Sequence, residues 1–277
     1  MSNPSFFPAP DRCTLCPRRC MARRAQGQAG FCGAAGVLKA ARAALHFWEE
    51  PCISGQRGSG TVFFSGCTLK CCYCQNYPIS AEVQGKELSV DRLAAIFLEL
   101  QQKGAHNINL VTPGQWRPWI TAALDKARAE GLTLPIVCNT GSYETLESIA
   151  AWQGYVDIWL ADLKYVSPAV SAELSAAPDY FAVAKAAIEA MMAQTGRPVL
   201  DAEGILRRGV ILRHLALPGH TEDSFAVLDQ MAAWNDADPG CFIPSLMSQY
   251  TPFYHAADHG IGRRITTYEY RRVVNYA

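Results

Sequence analysis

Eight of the eleven cysteines in this 277-residue sequence fall into two tight groups. The first group has the spacing C-x2-C-x3-C-x11-C, and the second is crowded into eight residues. Their members are Cys13, Cys16, Cys20 and Cys32, and then Cys67, Cys71, Cys72 and Cys74. An odd total fits a disulfide framework poorly, and several thiolates in a polar, glycine-bearing segment bind iron or zinc readily. We interpret both groups as metal sites and expect the isolated Cys52, Cys138 and Cys241 to be structural.

The second group contains the spacing C-x3-C-x2-C, formed by Cys67, Cys71 and Cys74. Three thiolates in one tight loop can ligate three corners of a cubic [4Fe–4S] cluster and leave the fourth iron open to a small molecule. A loop that follows the first predicted strand lies at the carboxyl end of a parallel sheet, where the active sites of α/β enzymes form. Cys72 is the spare thiol of this group.

The first group is compatible with either a closed tetrahedral zinc site or an auxiliary iron–sulfur cluster, and spacing does not choose between them. Four arginines lie within or beside it: Arg18, Arg19, Arg23 and Arg24. We expect a solvated basic face, which could also dock an acidic electron donor such as flavodoxin or ferredoxin.

The segment 66–74 (GCTLKCCYC) resembles the signature of the radical S-adenosylmethionine (SAM) superfamily, in which an aromatic residue, here Tyr73, precedes the last cysteine. The likeness narrows to the PflX-type group, which is related to the pyruvate formate-lyase activating enzyme, and it extends from Cys13 to Tyr254. The further motifs that carry it are C-x2-CPRRC at 13–20, EEP at 49–51, GTVFFSGC at 60–67, CQNY at 74–77, DIWLADLKY at 157–165, RHL at 213–215 and MSQYTP at 247–252.

The resemblance implies that Cys67, Cys71 and Cys74 hold a [4Fe–4S] cluster whose fourth iron is chelated by the amine and carboxylate of SAM. One electron would then cleave SAM to methionine and a 5′-deoxyadenosyl radical, which abstracts hydrogen from a substrate. The resemblance names no substrate. A glycine in a partner protein, as for an activating enzyme, a peptide and a small molecule all stay open.

The resemblance also places a Gly-Gly-Glu-like turn, which binds the SAM ammonium, at Thr112-Pro113-Gly114-Gln115. The glycine allows close approach of the backbone, but the carboxylate is missing, so Gln115 or the Thr112 hydroxyl would accept a hydrogen bond from the ammonium. An ordinary turn is the alternative. Asn139 and Thr140, after the third strand, match positions that present polar groups near SAM.

Asp162 and Lys164 alternate around Leu163, so both side chains should lie on one face of the fourth strand. Buried opposite charges are costly unless they pair or serve a ligand, and we favour a SAM ribose or carboxylate contact over a purely structural ion pair.

Arg213 and His214 should point to opposite faces of the fifth strand. We assign Arg213 to the SAM carboxylate, which a guanidinium can hold bidentately, and His214 to a structural hydrogen bond. Gln249, with Tyr250, either closes over SAM or substrate or packs as part of a surface loop.

The elements that position these residues alternate between strands and helices from residue 60 onward. This alternation predicts an α/β fold with parallel strands, and six strands fall short of an eight-stranded barrel. We predict a partial (β/α)6 TIM-like barrel of the radical SAM type at 59–255, after a Cys-rich metal-binding extension at 1–58 and before a closing element at 256–277. The predicted strands are 61–65, 107–111, 134–138, 156–161, 209–216 and 242–246. The predicted helices are 36–47, 90–102, 117–130, 143–152, 169–194 and 223–235, with a hairpin near 201–208.

Composition excludes several functions. The 25 Lys+Arg balance the 25 Asp+Glu, so nothing favours nucleic acid or an anionic membrane surface as a partner. No apolar run approaches the roughly 20 residues of a membrane span, and the first twelve residues lack the apolar core of a secretion signal, which predicts a cytoplasmic protein. The alternative to an enzyme is a zinc or iron–sulfur protein that acts as a scaffold or an electron carrier.

Overall fold

The computed structural model describes residues 9–277. Predictions for the first eight residues, including the start of the extension and the absence of a secretion signal, lie outside the described part. Among residues 9–277, no helix is both long enough and apolar enough to cross a membrane.

A mixed sheet forms the centre of the α/β fold. Its strands are β1 (Lys39–His46), β2 (Ser59–Phe64), β3 (Lys86–Glu87), β4 (Ile108–Val111), β5 (Ile136–Thr140), β6 (Ile158–Asp162), β7 (Val199–Leu200), β8 (Leu206–Leu215) and β9 (Ile243–Met247). Its helices are α1 (Pro51–Ser54), α2 (Tyr77–Ser80), α3 (Val90–Gln102), α4 (Arg117–Ala129), α5 (Leu146–Ala150), α6 (Pro168–Ser175), α7 (Tyr180–Thr195), α8 (Thr221–Ala237) and α9 (Thr267–Tyr276).

Six strands run parallel in the order β2-β4-β5-β6-β8-β9, as the alternation predicted. At the other edge, β1 pairs antiparallel with β2, and β3 pairs with β1. No pairing joins β9 to β2 within the described residues, so the sheet is not closed. All six carboxyl ends share one edge, which places the loop after β2 beside the ends of β4, β5, β6 and β8.

Two helix predictions were wrong. The Ala-rich segment 36–47 has high intrinsic helix propensity, but it forms strand β1 because residues 40–46 pair with β2. The predicted helix 169–194 is divided at Ala176, whose φ of 51° ends α6 before α7 begins. The hairpin prediction is confirmed by the antiparallel pairing of β7 with β8.

The two faces of the sheet bury different side chains. Ile136, Cys138 and Trp159 belong to the large apolar core shared with the helices. Their neighbours Val137 and Ile158 lie on the opposite face, in a small cluster that Ile53 of α1 covers. Polar side chains of β5, β6 and β8 continue that second face towards the carboxyl ends of the strands. The segment predicted as an extension therefore contributes β1 to one edge of the sheet and α1 to one face.

Candidate metal and cofactor site

The loop that follows β2 brings the three motif cysteines to the wall of one cavity of about 320 Å³. All three have free thiols and are partly exposed. The cavity is also lined by Ser80 and Glu173 and by segment 254–259, which includes His255 and His259. Cys72 also contributes to this wall but is 5% exposed, and its carbonyl accepts a hydrogen bond from the His255 amide over 2.8 Å.

Each motif thiol accepts one hydrogen bond from a different part of the chain. The pairs are Leu69 N–H to Cys67 Sγ at 3.4 Å, Ser175 Oγ–H to Cys71 Sγ at 3.0 Å, and Ser80 Oγ–H to Cys74 Sγ at 3.2 Å. Donors aimed at sulfur stabilise the thiolate, which is the form that binds metal.

The end of helix α6 holds the loop in place. The last carbonyls of a helix have no partner within the helix. Here the Lys70 amide donates to the Ser175 carbonyl at 3.3 Å, and the Cys72 amide donates to the Leu174 carbonyl at 2.9 Å. The break of the helix at Ala176 is thus the feature that leaves these carbonyls available to the loop.

Burial makes the metal-free thiols reluctant to ionise. Burial, together with the neighbouring Cys71 and Cys74 thiols, raises the pKa of Cys67 to about 12, although the Leu69 amide and Lys164 oppose this increase. Burial also raises the pKa of Cys71, although the Lys164 ammonium opposes this increase. A cationic group bound to the sulfurs would remove this penalty.

A half-buried to buried cluster of charges lies at the carboxyl ends of β5, β6 and β8. Lys164 Nζ donates to Asp162 Oδ2 at 2.7 Å, and Arg213 Nε donates to Asp162 Oδ1 at 2.8 Å. Arg213 Nη1 donates to Glu49 Oε1 at 2.8 Å, and Nη2 donates to Asn139 Oδ1 at 2.9 Å. Two acids and two bases balance, which makes the burial of four charges tolerable. Burial would raise the pKa of Asp162, but Arg213 and Lys164 lower it below its ordinary value.

This charge cluster lies next to the cysteine loop. Gly141, directly after β5, has so little room that an added Cβ would be 3.0 Å from Leu69 Cδ1 and 3.2 Å from Lys164 Cε. Asp162 and Lys164 lie on one face, as predicted, since their side chains pair at 2.7 Å. His214 points away as predicted, bonding through Nδ1 to the Leu163 carbonyl and through Nε2 to Ser224 Oγ, each at 2.9 Å.

The predicted turn at 112–115 is fastened to the cysteine loop through Gln115, which is 2% exposed. Its Nε2 donates to the carbonyls of Ser65, Gly66 and Thr112 at 3.2, 2.9 and 2.9 Å. Its Oε1 is buried and has no hydrogen-bond partner among the described residues. Thr112 adopts a φ of 54° at this turn.

A carboxylate that the sequence reasoning missed lies against this turn. An added Cβ on Gly114 would be 2.6 Å from Glu144 Oε1, so a larger residue at this position would require the Glu144 carboxyl group to move. Glu144 also accepts hydrogen bonds from Thr140 Oγ1 at 3.1 Å and from Ser148 Oγ at 3.4 Å. Burial raises its pKa to about 7. Glu144 follows the predicted Asn139-Thr140 site by only four residues, which is the one signal that could have found it.

Three predicted contacts are not assembled around the cysteines. Thr140 bonds to Glu144 instead of joining Asn139 in the charge cluster, because adjacent residues of a strand face opposite sides. Gln249 is exposed and lines a different cavity with Arg264 and Thr266. The Tyr73 side chain is 8% exposed and packs edge-on against Tyr250 in the core.

The first cysteine group is also gathered in space. Cys13, Cys16 and Cys32 are buried and Cys20 is exposed. An added Cβ on Gly30 would be 3.1 Å from Cys20 Sγ and 3.7 Å from Cys32 Sγ, so these two sulfurs flank the same glycine. Within residues 9–277, no three His, Cys, Asp or Glu side chains are arranged to hold a single metal ion.

The basic stretch beside this group is only partly solvated, contrary to expectation. Arg24 is 0% exposed and donates to the carbonyls of Ala35 and Gln115 at 2.8 and 2.7 Å. Arg18 donates to the carbonyls of Thr68 and Ala176 at 3.0 and 2.6 Å. These two arginines connect the extension to the cysteine loop and to the 112–116 turn. Arg19 and Arg23 are exposed.

The chain is similar to a curated archaeal protein. An uncharacterized protein of Methanocaldococcus jannaschii is 27% identical over 273 residues, which cover 96% of this chain and 74% of that protein. No protein-family model matches the chain. That relative is uncharacterized, so the similarity carries no activity with it.

Proposed function

We propose that this protein is a radical SAM enzyme and that its parallel strands form the partial (β/α)6 TIM-like barrel of that type. The observation that carries the proposal is the arrangement of the Cys67, Cys71 and Cys74 thiols. They share one cavity wall at the carboxyl edge of the parallel strands, and each accepts one hydrogen bond. Three thiolates on one cavity wall can ligate three corners of a [4Fe–4S] cluster and leave the fourth iron for a ligand.

The chain's own residues supply the surroundings of such a cluster. Lys164 lies close enough to lower the pKa of the Cys71 thiol, and it would offset the negative charge of a thiolate-ligated cluster. Bound there, the cluster and SAM would supply one-electron cleavage of SAM to methionine and a 5′-deoxyadenosyl radical, which abstracts hydrogen from the substrate.

The polar residues around the loop suit parts of SAM. Asp162 and Asn139 present oxygen and nitrogen atoms at strand ends beside the loop, and we assign them to its ribose and amino-acid groups together with Lys164. Gln115 offers a buried acceptor, Oε1, without a hydrogen-bond partner in the part of the chain that the structure describes, and the Glu144 carboxyl group lies against Gly114. These two residues take the place of the missing Gly-Gly-Glu carboxylate.

Two residues have different roles from those predicted. Arg213 uses three nitrogen atoms on Asp162, Glu49 and Asn139, so we assign it to positioning those side chains. The Tyr73 ring is buried, so any contact with SAM falls to its main chain.

The first cysteine group is proposed as the second metal site, which binds zinc or an iron–sulfur cluster. A flavodoxin-like or ferredoxin-like protein is proposed as the electron donor. The substrate, whether a protein glycine, a peptide or a small molecule, is not assigned.

Anaerobic reconstitution with iron and sulfide tests the proposal. We expect an EPR signal of a reduced [4Fe–4S] cluster and dithionite-dependent formation of 5′-deoxyadenosine from SAM. Cys71→Ala should abolish both the EPR signal and 5′-deoxyadenosine formation. Substitution of the adjacent residue, Cys72→Ala, should retain both, because the main chain of Cys72 and not its thiol holds the loop.

A fully loaded, reducible cluster that never cleaves SAM would refute the proposal and favour an electron carrier. A chain that binds zinc alone would favour a scaffold. If Cys72→Ala loses the cluster as fully as Cys71→Ala, the assignment of ligands is wrong.

A further inference from the structure

Cys71 differs from the other two motif cysteines in what lies behind its hydrogen-bond donor. Ser175 donates to Cys71 Sγ over 3.0 Å, and the Ser175 hydroxyl is itself 2.8 Å from the Tyr165 hydroxyl. The Tyr165 hydroxyl is in turn 2.5 Å from the Tyr73 hydroxyl. Ser175 is 0%, Tyr165 1% and Tyr73 8% exposed, so this hydroxyl chain is shielded from bulk water.

A thiolate at the end of the chain fixes the direction of every hydrogen bond in it. A metal-bound sulfur can only accept, so Ser175 must donate to Cys71. Ser175 then accepts from Tyr165, and Tyr165 accepts from Tyr73. All three O–H dipoles point towards the sulfur, and aligned hydrogen bonds in a buried chain strengthen one another.

The other two motif thiols lack this support. Cys67 receives a backbone amide at 3.4 Å, and Cys74 receives the Ser80 hydroxyl at 3.2 Å. Ser80 lies at the end of the single-turn helix α2 and lines the cavity, whereas Ser175 is enclosed between the loop and the core. The hydrogen bond to Cys71 is thus the shortest of the three. Its donor, Ser175, is the most buried and is the one that accepts from a further hydroxyl.

Tyr73, at the far end of the hydroxyl chain, belongs to the same loop as Cys71. It lies two residues after Cys71, so the hydroxyl chain begins and ends on the same tight loop. The phenol rings of Tyr165 and Tyr180 pack edge to face with centroids 5.4 Å apart, which fixes the position of Tyr165. A purely structural role would require only that each hydroxyl has a hydrogen-bond partner. Here the three O–H dipoles are also aligned towards one sulfur, Cys71 Sγ.

We propose that the Tyr73–Tyr165–Ser175 hydroxyl chain raises the reduction potential of the iron–sulfur cluster by donating to the Cys71 ligand. The inference rests on the proposed function, because it concerns the cluster assigned to these cysteines. One-electron reduction adds a negative charge to the cluster, and a donor to a ligand sulfur stabilises the reduced form more than the oxidised form. Ser175, Tyr165 and Tyr73 act through Cys71 and are positioning residues.

The test compares midpoint potentials of reconstituted variants by EPR-monitored redox titration. Ser175→Ala should lower the equilibrium constant for reduction about tenfold, which corresponds to a potential about 59 mV more negative. Tyr165→Phe keeps the ring and the serine but removes the middle dipole, so it should shift the potential in the same direction by less. Resonance Raman spectra should show a changed iron–thiolate stretch in Ser175→Ala.

Ser171→Ala is the matched control, because Ser171 lies one turn earlier on α6, is also buried, and its hydroxyl donates to the Pro168 carbonyl instead of to a motif cysteine. It should leave the potential unchanged. A loaded Ser175→Ala variant with the potential of Ser171→Ala overturns the inference and leaves the proposed function standing. A Tyr165→Phe variant whose midpoint potential equals that of the wild type overturns the role of the hydroxyl chain. This comparison can be made even if Ser175→Ala fails to load iron. A wild-type chain that binds no cluster overturns the proposed function and the inference together.

Discussion

The backbone amide of Cys67 donates a hydrogen bond to the carbonyl oxygen of Cys32 over 3.1 Å. The last cysteine of the first group thus contacts the first cysteine of the second. Gly66, with a φ of 83°, makes the contact possible, since an added Cβ would be only 2.4 Å from the Cys32 carbonyl oxygen. The extension and the cysteine loop are therefore in direct contact, and a substitution that displaces one should alter the structure of the other.

Gly66→Ala should separate the two groups. A left-handed alanine costs about 1–2 kcal/mol, and the overlap with Cys32 adds about 1–3 kcal/mol. We expect a lower melting temperature and the loss of metal from both groups upon reconstitution, measured by calorimetry and by iron and zinc analysis.

Gly104→Ala is the control for this change. Gly104 has the same φ of 83° but nothing within 4 Å of an added Cβ, so only the conformational cost applies. Equal destabilisation of the two variants would show that the Cys32 contact contributes nothing.

Arg24→Leu should loosen the extension. Arg24 is buried, and its removal leaves the carbonyls of Ala35 and Gln115 without their donor, at a cost of about 2–4 kcal/mol. We expect faster limited proteolysis between residues 13 and 38 and a lower urea midpoint. Arg23→Leu, one residue earlier and exposed, should behave like the wild type. Similar cleavage rates for the two variants would contradict the assigned role of Arg24.

Local patterns predicted much of the fold. The bounds of α3 agree with the prediction to the residue, and the structure shows Ser89 capping its first turn and apolar residues repeating along its buried face. The six parallel strands followed from alternation. Strand β1 was missed because its pairing with β2 cannot be read from its own residues, whereas its alanines favour a helix locally.

In the candidate site, too, contacts within one strand could be predicted from the sequence, whereas contacts between distant segments could not. Alternation along one strand placed Asp162 and Lys164 together. No local pattern relates Glu49 to Arg213, which lies 164 residues further on, or reveals that Glu144 fills the space beside Gly114. These contacts exist only because the loops of different strands meet at one edge of the sheet.

Asp162→Asn should be strongly destabilising at neutral pH. It leaves Lys164 and Arg213 facing one remaining carboxylate, Glu49, and breaking a buried pair costs about 3–5 kcal/mol. Asp91→Asn is the control, because Asp91 pairs with Lys126 on the surface, where such pairs contribute about 0–1 kcal/mol.

The effect of Asp162→Asn should depend on pH with a definite sign. The folded-state pKa of Asp162 is lowered, so its stabilisation is fully present above the unfolded value of about 3.9 and is lost as pH falls through the folded pKa. Urea unfolding should show a constant difference between wild type and Asp162→Asn from pH 7 to 5, and a smaller one below about pH 4. A difference that already shrinks between pH 7 and 5 would contradict this linkage.

Glu144→Gln should show the opposite dependence on pH. Burial raises the folded-state pKa of Glu144 to about 7, above an unfolded value of about 4.3. Its favourable contribution is therefore present at low pH and is lost as pH rises to about 7. Relative to Glu144→Gln, the wild type should lose about 2–3 kcal/mol of unfolding free energy between pH 5 and pH 8.

Glu147→Gln provides the control, because Glu147 lies three residues further on and its side chain is 77% exposed. Its pKa is lowered by hydrogen bonds to its own backbone amide and to Thr145, so its contribution does not change between pH 5 and 8. Urea unfolding of the three proteins at both pH values measures these differences. A Glu144→Gln difference that is constant across this range would mean that Glu144 is ionised in the folded protein at pH 5. The carboxylate beside Gly114 would then carry a full negative charge against the turn, instead of holding a proton below pH 7.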